Sequence, residues 1–248
     1  MRYLLLVAVC VLVMGGVHTE GAKALEINAY RVHAANFYDA GQKRFGASQI
    51  IEVTSNSGEA RSEEYFISRN IEAARLHSKG RVSEAEGILR SVLKEAIATR
   101  GEDDKYTALT MLNLAEICIF QNRDSEAVQL LDTVIGVYKK QIGPDHQKTA
   151  DLIARLASVH LSRGNIAQAE PLSEEVLRIR RKSLGAMHPA TLLALDAVGG
   201  INYALGRFED AHRLYTEALH GFEQAIGPMH EQSQRTRRNL TRAQRHLE

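Results

Sequence analysis

The sequence is short of residues that interrupt helices or cross-link chains. Tryptophan is absent, and only 4 prolines and 2 cysteines occur among 248 residues, of which 44% are hydrophobic and 25% are charged. Long stretches therefore carry no helix breaker, which favours a mostly helical chain. The hydrophobic and charged fractions are those of a folded globular protein and exclude a disordered chain.

The chain also lacks an excess of charge of either sign. The formal net charge is +1, whereas a protein that binds nucleic acid normally concentrates basic residues on one face. We therefore expect no nucleic-acid partner. Familiar catalytic motifs are missing too, because no phosphate-binding glycine loop, HExxH, CxxC or GxSxG sequence occurs. The sequence thus predicts a non-enzymatic protein without a cofactor or a metal.

One long apolar run opens the chain. MRYLLLVAVCVLVM, at residues 1–14, has one positive charge followed by an apolar run, and AKA at 22–24 provides a small-x-small cleavage pattern. The run is shorter than the roughly 20 residues of a membrane-spanning helix. We therefore predict a signal peptide over residues 1–24. The signal peptide would direct export to the periplasm of a bacterial envelope or to the exterior, and its cleavage would leave a chain without stable membrane insertion. Retention as an uncleaved anchor is the alternative.

Removal of the signal peptide would leave a single cysteine, Cys118. The mature chain could then form no internal disulfide bond. Cys118 lies within an apolar pattern at helical spacing. We therefore expect this residue to be a small, buried part of the core and not a nucleophile.

A 42-residue period organises the rest of the sequence. An alanine recurs at this interval in four copies, and a histidine recurs in the related stretches IGPDHQKT, LGAMHPAT and IGPMHEQS. The alanines are Ala85, Ala127, Ala169 and Ala211, and the histidines are His146, His188 and His230. Four copies in register indicate a repeat architecture, in which neighbouring units stack because one unit cannot bury its apolar face alone.

Each copy has the pattern of two helices joined by a tight turn. The turn position holds glycine or asparagine in every copy, at Gly80, Asn122, Gly164 and Gly206. Both residue types suit the left-handed conformation that commonly ends a helix. We expect Ser83 and Ser125 to cap the second helices of their copies. We also expect Pro171 to lie in the first turn of its helix, where proline is tolerated.

GNIAQAEPLSEEVLRIRRKSLGAMHPAT, at residues 164–191, resembles the 42-residue tetratricopeptide repeats of kinesin light chains and many bacterial repeat proteins. The resemblance covers roughly residues 60–248. It implies an all-α fold, a right-handed α–α superhelix of about four helical hairpins followed by a capping helix. The predicted segments are a leader at 25–58, repeats at 59–100, 101–142, 143–184 and 185–228, and the cap at 229–248. For the leader, a flexible segment, an extra helix and a strap across the groove remain alternatives.

Two departures from the family pattern, and an arginine-rich cap, carry expectations of their own. Glu72 stands where the second copy has Leu114, as suits an end repeat with a more polar face. The aromatic residue usual in the first helix is replaced by Cys118, His160 and Asn202 in successive copies, so we expect that layer to pack atypically. The cap is rich in arginine, and a solvated surface and a docking patch for an acidic partner are its two interpretations. These arginines are Arg235, Arg237, Arg238, Arg242 and Arg245.

The recurring histidines raise the question of a metal or catalytic site. Equivalent residues of successive repeats lie at least about 8–10 Å apart, whereas the ligands of one metal ion lie only a few ångströms from one another. We therefore predict that His146, His188 and His230 are structural joints, whose imidazoles bond to backbone groups between hairpins. Glycines just before them should end the second helices. These are Gly143, Gly185 and Gly227.

The resemblance implies that the first helix of each hairpin lines a concave groove for a protein or peptide partner. Polar residues expected on that face are Asn70, Asn113, Glu116, Asp151, Arg155, Ser158 and Asp196. Asn113 and Arg155 fall where some tetratricopeptide domains hold a peptide's terminal carboxylate, but Asp151 stands where a third, basic residue belongs. For each residue the alternative is an ordinary solvated helix face. A self-assembling envelope protein and an accessory domain of an enzyme system are the alternative functions, and the oligomeric state is left open.

Overall fold

The computed structural model describes residues 62–248. The predicted signal peptide, the whole of the predicted leader and residues 59–61 of the first predicted repeat lie outside the described residues. Within 62–248 the chain forms nine helices and no strand, which confirms the all-α prediction. The helices are α1 (Glu63–Ser78), α2 (Val82–Arg100), α3 (Lys105–Phe120), α4 (Asp124–Gln141), α5 (Gln147–Ser162), α6 (Ile166–Leu184), α7 (Pro189–Ala204), α8 (Phe208–Ile226) and α9 (Glu231–Gln244).

The first eight helices form four consecutive hairpins, and α9 packs on the last of them. We call α1, α3, α5 and α7 the first helices and α2, α4, α6 and α8 the second helices. The core lies between the helices of each hairpin and between neighbouring hairpins. The repeated alanine of each second helix is fully buried in all four copies, because a larger side chain there would push adjacent helices apart. No helix between residues 62 and 248 has the length and apolar character needed to cross a membrane.

The short turns inside the hairpins have the predicted left-handed geometry. Gly80 has a φ of 78° and Asn122 has a φ of 59°, so asparagine occupies the conformation that glycine adopts elsewhere. The following N–H then reaches back to the end of the first helix: Arg81 donates to the Leu76 carbonyl at 2.9 Å, and Arg123 donates to the Cys118 carbonyl at 2.8 Å. This back-bonding pattern satisfies carbonyl groups that the helix end leaves free.

The same turn makes the predicted serine caps wrong. The N-cap residues of α2 and α4 are Arg81 and Arg123, and neither makes a capping bond through its side chain. The back-bonded residue is the N-cap, and the helix starts at the next residue, so Ser83 and Ser125 already lie inside the first turn. Pro171 is likewise in the interior of α6, beyond its first turn.

The three residues that replace the usual aromatic residue of the first helix, Cys118, His160 and Asn202, differ in how they pack. Cys118 is fully buried, and this burial raises the pKa of its thiol to about 11, as expected of a core residue. Burial also lowers the pKa of His160. The Asn202 side chain turns back onto its own helix and donates to the Val198 carbonyl at 3.0 Å. Glu72 is exposed and pairs with Arg69, in agreement with its predicted place on a polar face.

Candidate binding surface on the first helices

The recurring histidines are the N-cap residues of α5, α7 and α9. The Nδ1 atom of each imidazole accepts a hydrogen bond of 3.1 Å from the backbone N–H two residues later, so the predicted bond to a backbone group is confirmed. The pairs are His146 with Lys148, His188 with Ala190, and His230 with Gln232. Each bond satisfies one of the N–H groups that a helix start leaves free. No group of three residues suited to hold a metal occurs between residues 62 and 248.

Two further features of the connection between hairpins were not predicted from the sequence. Asp104 occupies the histidine position of the first joint, and its carboxylate accepts from the Tyr106 N–H at 2.9 Å. A hydroxyl three residues after the cap donates to the carbonyl of the glycine that ends the preceding helix, at 2.7–2.9 Å. These pairs are Thr107 with Gly101, Thr149 with Gly143, and Ser233 with Gly227. The hydroxyl could have been predicted from the 42-residue period, because Thr or Ser recurs three residues after each cap.

Asn70 and Asn113, two of the predicted groove residues, bind each other. Asn113 donates through Nδ2 to Asn70 Oδ1 at 2.8 Å. Asn70 is only 3% exposed and donates in turn to the Phe66 carbonyl at 2.8 Å and to Thr110 Oγ1 at 2.9 Å. The bonds of Asn70 to Thr110 and Asn113 join α1 to α3. They engage side-chain amide groups that we had expected to bind a partner.

Glu116 and Arg155 form an ion pair that joins α3 to α5. Ser158, one turn further along α5, donates to the Arg155 carbonyl at 2.8 Å. The Arg155 guanidinium therefore already has a carboxylate partner within the protein. A peptide's terminal carboxylate would have to compete with Glu116 for it, which weakens the case for a carboxylate clamp.

The remaining two candidates also have basic partners. Asp151 accepts from Arg180 at 2.8 Å, and Arg180 comes from the second helix α6 while also donating to the Ala190 carbonyl at 3.2 Å. Asp196 is 6% exposed and accepts from Arg235 at 3.0 Å and from Thr236 at 2.8 Å. The latter bonds fasten the cap helix α9 to α7.

The surface of the first helices that holds these predicted groove residues, which we call the first-helix face, also carries exposed apolar side chains. The sequence analysis did not predict them. Ile67 and Ile71 of α1 are 39% and 40% exposed. The 42-residue step could have found them, because it places Ile67 in register with Asp151 and Ile71 in register with Asn113 and Arg155. The face thus combines polar pairs that tie the first helices together with apolar side chains that remain accessible.

The second helices are linked by a different set of contacts. Here oppositely charged side chains pair across successive second helices at 2.6–3.0 Å: Arg123 with Glu86, Arg90 with Glu126, Lys139 with Glu175, and Arg181 with Glu217. Most of these side chains are partly exposed, and such pairs contribute little stability each. The two faces therefore differ in chemistry, because the first helices combine an amide pair, ion pairs and exposed isoleucines, whereas the second helices are linked by surface ion pairs.

Comparison with known families agrees with this architecture. Residues 148–224 match a family model described as tetratricopeptide repeat, and residues 107–148 match a second model of the same description. Residues 107–224 therefore match models of tetratricopeptide repeats. No curated protein matches the chain in sequence.

Solved structures with the same fold include tetratricopeptide-like repeats of kinesin light chain type. Repeats described as those of a kinesin light chain from Podosopora anserina match with a TM-score of 0.65 and 22% identity, covering 75% of this chain and 89% of that one. BtubC (BKLC) from P. vanneervenii matches with a TM-score of 0.63 and 16% identity, covering 91% of this chain and 84% of that one. The apo form of RapI matches with a TM-score of 0.63 and 12% identity, covering 96% of this chain and 63% of that one. These likenesses establish the shared fold.

Proposed function

We propose that this protein is an exported, non-enzymatic scaffold that binds a protein or peptide partner along its first-helix face. Tetratricopeptide repeats typically mediate protein–protein interaction, and the repeats cover residues 107–224. Export rests on the apolar run and the AKA pattern within residues 1–24. The partner is a polypeptide because repeat arrays of this kind offer an extended surface and recognise side chains without chemistry.

The observation that carries this proposal is the accessibility of Ile67 and Ile71. Most polar groups on the first-helix face already have partners inside the protein, so they position the helices and offer little affinity to a ligand. Exposed isoleucines at i and i+4 on one helix would form an apolar stripe. Burial of such side chains on binding is favourable, at about 25 cal/mol for each Å² of apolar surface. We therefore expect the partner to present apolar side chains to α1.

The test uses peptides selected from a random dodecapeptide phage library on the purified protein. Ile67→Ser together with Ile71→Ser should weaken the selected peptides about ten-fold or more, since each 1.4 kcal/mol of lost burial is ten-fold in affinity. The matched control is Ile97→Ser with Ile142→Ser, because those isoleucines are similarly exposed, at 37% and 40%, but lie off the first-helix face. Binding is measured by fluorescence anisotropy.

Two results would contradict the proposal. In one, no peptide is selected, and sedimentation velocity finds oligomers that grow with concentration, which would favour the alternative of a self-assembling envelope protein. In the other, both double variants weaken the selected peptides equally, so that the first-helix face has no special part in binding.

A further inference from the structure

The connections between hairpins differ in the side chain that precedes the capping residue. This position holds aspartate or methionine, and its occupants in the first to fourth connections are Asp103, Asp145, Met187 and Met229. The second and third connections share one backbone geometry, because their glycines have φ angles of 99° and 88° and their histidine caps both accept at 3.1 Å. We therefore expect side chains at this position to face equivalent places in the array.

In the first two connections this side chain joins the following second helix. Asp103 pairs with Lys140 of α4 at 2.9 Å. Asp145 pairs with Arg178 of α6 at 2.8 Å, and it also pairs with Lys182 of the same helix. An acceptor at this position thus ties each connection to the next hairpin.

The third connection has no such ion pair, because the residues on both sides differ. Met187 stands in place of the aspartate, and one 42-residue step after the basic pair of α6 the helix α8 holds His220 and Gln224. The Gln224 Nε2 atom lies 3.0 Å from His220 Nε2, which uses one of the two N–H groups of the amide. The other N–H of Gln224 has no acceptor between residues 62 and 248. A thioether accepts hydrogen bonds only weakly, so this boundary has a donor without a matching acceptor.

The exposure of the two methionines supports this placement of Met187 beside α8. Met187 is 47% exposed, whereas Met229 is 78% exposed. The fourth connection leads to α9, the last helix of residues 62–248, so no second helix follows it there. The lower exposure of Met187 is the difference expected when α8 covers part of the side chain.

Met187 and Met229 are also the exposed sulfur-containing residues of the array. Between residues 62 and 248 the others are Met111, which is 6% exposed, and Cys118, which is fully buried. Burial raises the pKa of the Cys118 thiol to about 11, so little of the reactive thiolate forms. Because oxidation of sulfur follows its exposure, an oxidant reaches the two exposed methionines first.

We propose that Met187 is a site of reversible oxidation by hydroperoxides, and that its sulfoxide bonds to Gln224 as Asp145 bonds to Lys182 one boundary earlier. The thioether sulfur attacks one peroxide oxygen, so that an S–O bond forms and the O–O bond breaks. With hydrogen peroxide, sulfur loses two electrons, and the departing hydroxide takes the proton of the transferred hydroxyl and leaves as water. The polar sulfoxide oxygen then accepts from the second N–H of Gln224.

Oxidation thereby gives the third connection the acceptor that aspartate supplies in the first two. The thioether changes from an apolar group into a polar one, and the connection gains a bond to α8. This inference goes beyond the proposed function, since it assigns a modification site outside the first-helix face.

The first experiment identifies the methionine that is oxidised. The purified protein is treated with hydrogen peroxide, and sulfoxide is quantified in proteolytic fragments by mass spectrometry. We expect Met187 and Met229 to be converted at least about ten-fold faster than Met111, because reactivity follows exposure. A mixture of the two types of methionine sulfoxide reductase, which together act on both epimers, should restore Met187 in the folded protein.

The second experiment tests the bond to Gln224. Met229→Leu leaves Met187 as the exposed methionine of residues 62–248. After its oxidation we expect the side-chain amide signal of Gln224 to shift in ¹⁵N–¹H NMR spectra. The urea midpoint should rise, because the connection gains a hydrogen bond to α8.

Two controls isolate that bond. Adding Gln224→Ala to Met229→Leu removes the donor from an exposed position, so oxidation should no longer raise the urea midpoint. Met187→Leu leaves Met229 to be oxidised at the equivalent position, where no second helix follows within residues 62–248. Its midpoint should be the same before and after treatment with peroxide.

Four results would overturn the proposal. Oxidation of Met111 at the rate of Met187 would show that exposure selects no site. An unmoved Gln224 amide signal after complete oxidation of Met187 would exclude the bond, as would an equal rise of the midpoint with and without the Gln224 side chain. Failure of both reductases to restore Met187 in the folded protein would show that the modification is not reversible.

Discussion

At the scale of single residues, the joints between hairpins depend on one acceptor atom and not on one residue type. Histidine Nδ1 and the Asp104 carboxylate both accept from the N–H two residues later. The spacing of the histidines was enough to predict a structural role, since residues of successive repeats lie too far apart to share a metal ion. The equivalence of Asp104 was missed because aspartate and histidine share no feature in a sequence pattern beyond their capacity to cap.

The His188 cap can be tested by exchanging the acceptor. His188→Ala removes it, and we expect the free energy of unfolding to fall by about 1 kcal/mol, the usual cost of a lost N-cap. His188→Asp should keep most of the stability, because aspartate already performs this role at residue 104. Urea unfolding followed by circular dichroism measures both. Equal loss in the two variants, or a stoichiometric metal present in the protein and absent from His188→Ala, would contradict the capping role.

At the scale of helices, the repeat predicts the order and approximate extent of elements, but their starts depend on backbone bonds that no pattern reveals. Arg81 and Arg123 are the N-cap residues of α2 and α4, and their N–H groups bond back across the turn, so the expected serine caps were wrong. Glycines within the helices are a second case. Gly87 in α2 has no heavy atom near the position of a Cβ, whereas a Cβ on Gly221 in α8 would lie 2.3 Å from the Leu192 Cδ2 atom.

Two alanine substitutions separate helix propensity from packing. Gly87→Ala should raise the free energy of unfolding by about 0.5–1 kcal/mol, because alanine is the better helix former and the site is open. Gly221→Ala gains the same propensity but crowds the buried Leu192, and overpacking of this kind costs about 1–3 kcal/mol. We therefore expect Gly221→Ala to lower stability by about 1 kcal/mol as the net of the two effects. Thermal and urea unfolding of both variants provide the measurement, and a rise in both would mean that Leu192 yields freely.

At the scale of the whole repeat array, the sequence predicts the fold well because every hairpin repeats one local pattern. The candidate site was less predictable. The 42-residue step placed Asn70, Asn113, Glu116 and Arg155 on first helices, but it could not reveal that these side chains pair with each other across neighbouring hairpins. Pairing depends on rotamers and on the distance between adjacent helices, and neither is encoded in a single repeat. The exposure of Ile67 and Ile71 could not be predicted either, because an apolar residue at a helical spacing is normally part of the core.

The cap helix provides the last test, because α9 closes the array through Asp196. Arg235→Ala with Thr236→Val would leave this buried carboxylate without the two partners that hold it at 3.0 Å and 2.8 Å. Loss of the partners of a buried charge costs about 3–5 kcal/mol. In a repeat array each hairpin is stabilised mainly by its contacts with adjacent hairpins. We therefore expect amide hydrogen exchange to rise in α7, α8 and α9 and to remain unchanged in α1 and α2.

The matched control for the cap is Arg238→Ala with Thr241→Val, which removes the same residue types from the exposed side of α9. The Thr241 hydroxyl donates to the Arg237 carbonyl of its own helix and links α9 to no other helix, so this variant should exchange as the unaltered protein does. Mass spectrometry of peptic fragments resolves the individual hairpins. If exchange instead rises equally from α1 to α9 in the Asp196-partner variant, the array unfolds as one cooperative unit. Asp196 would then stabilise all four hairpins and not only the last, because coupling across every boundary would exceed the stability of any single hairpin.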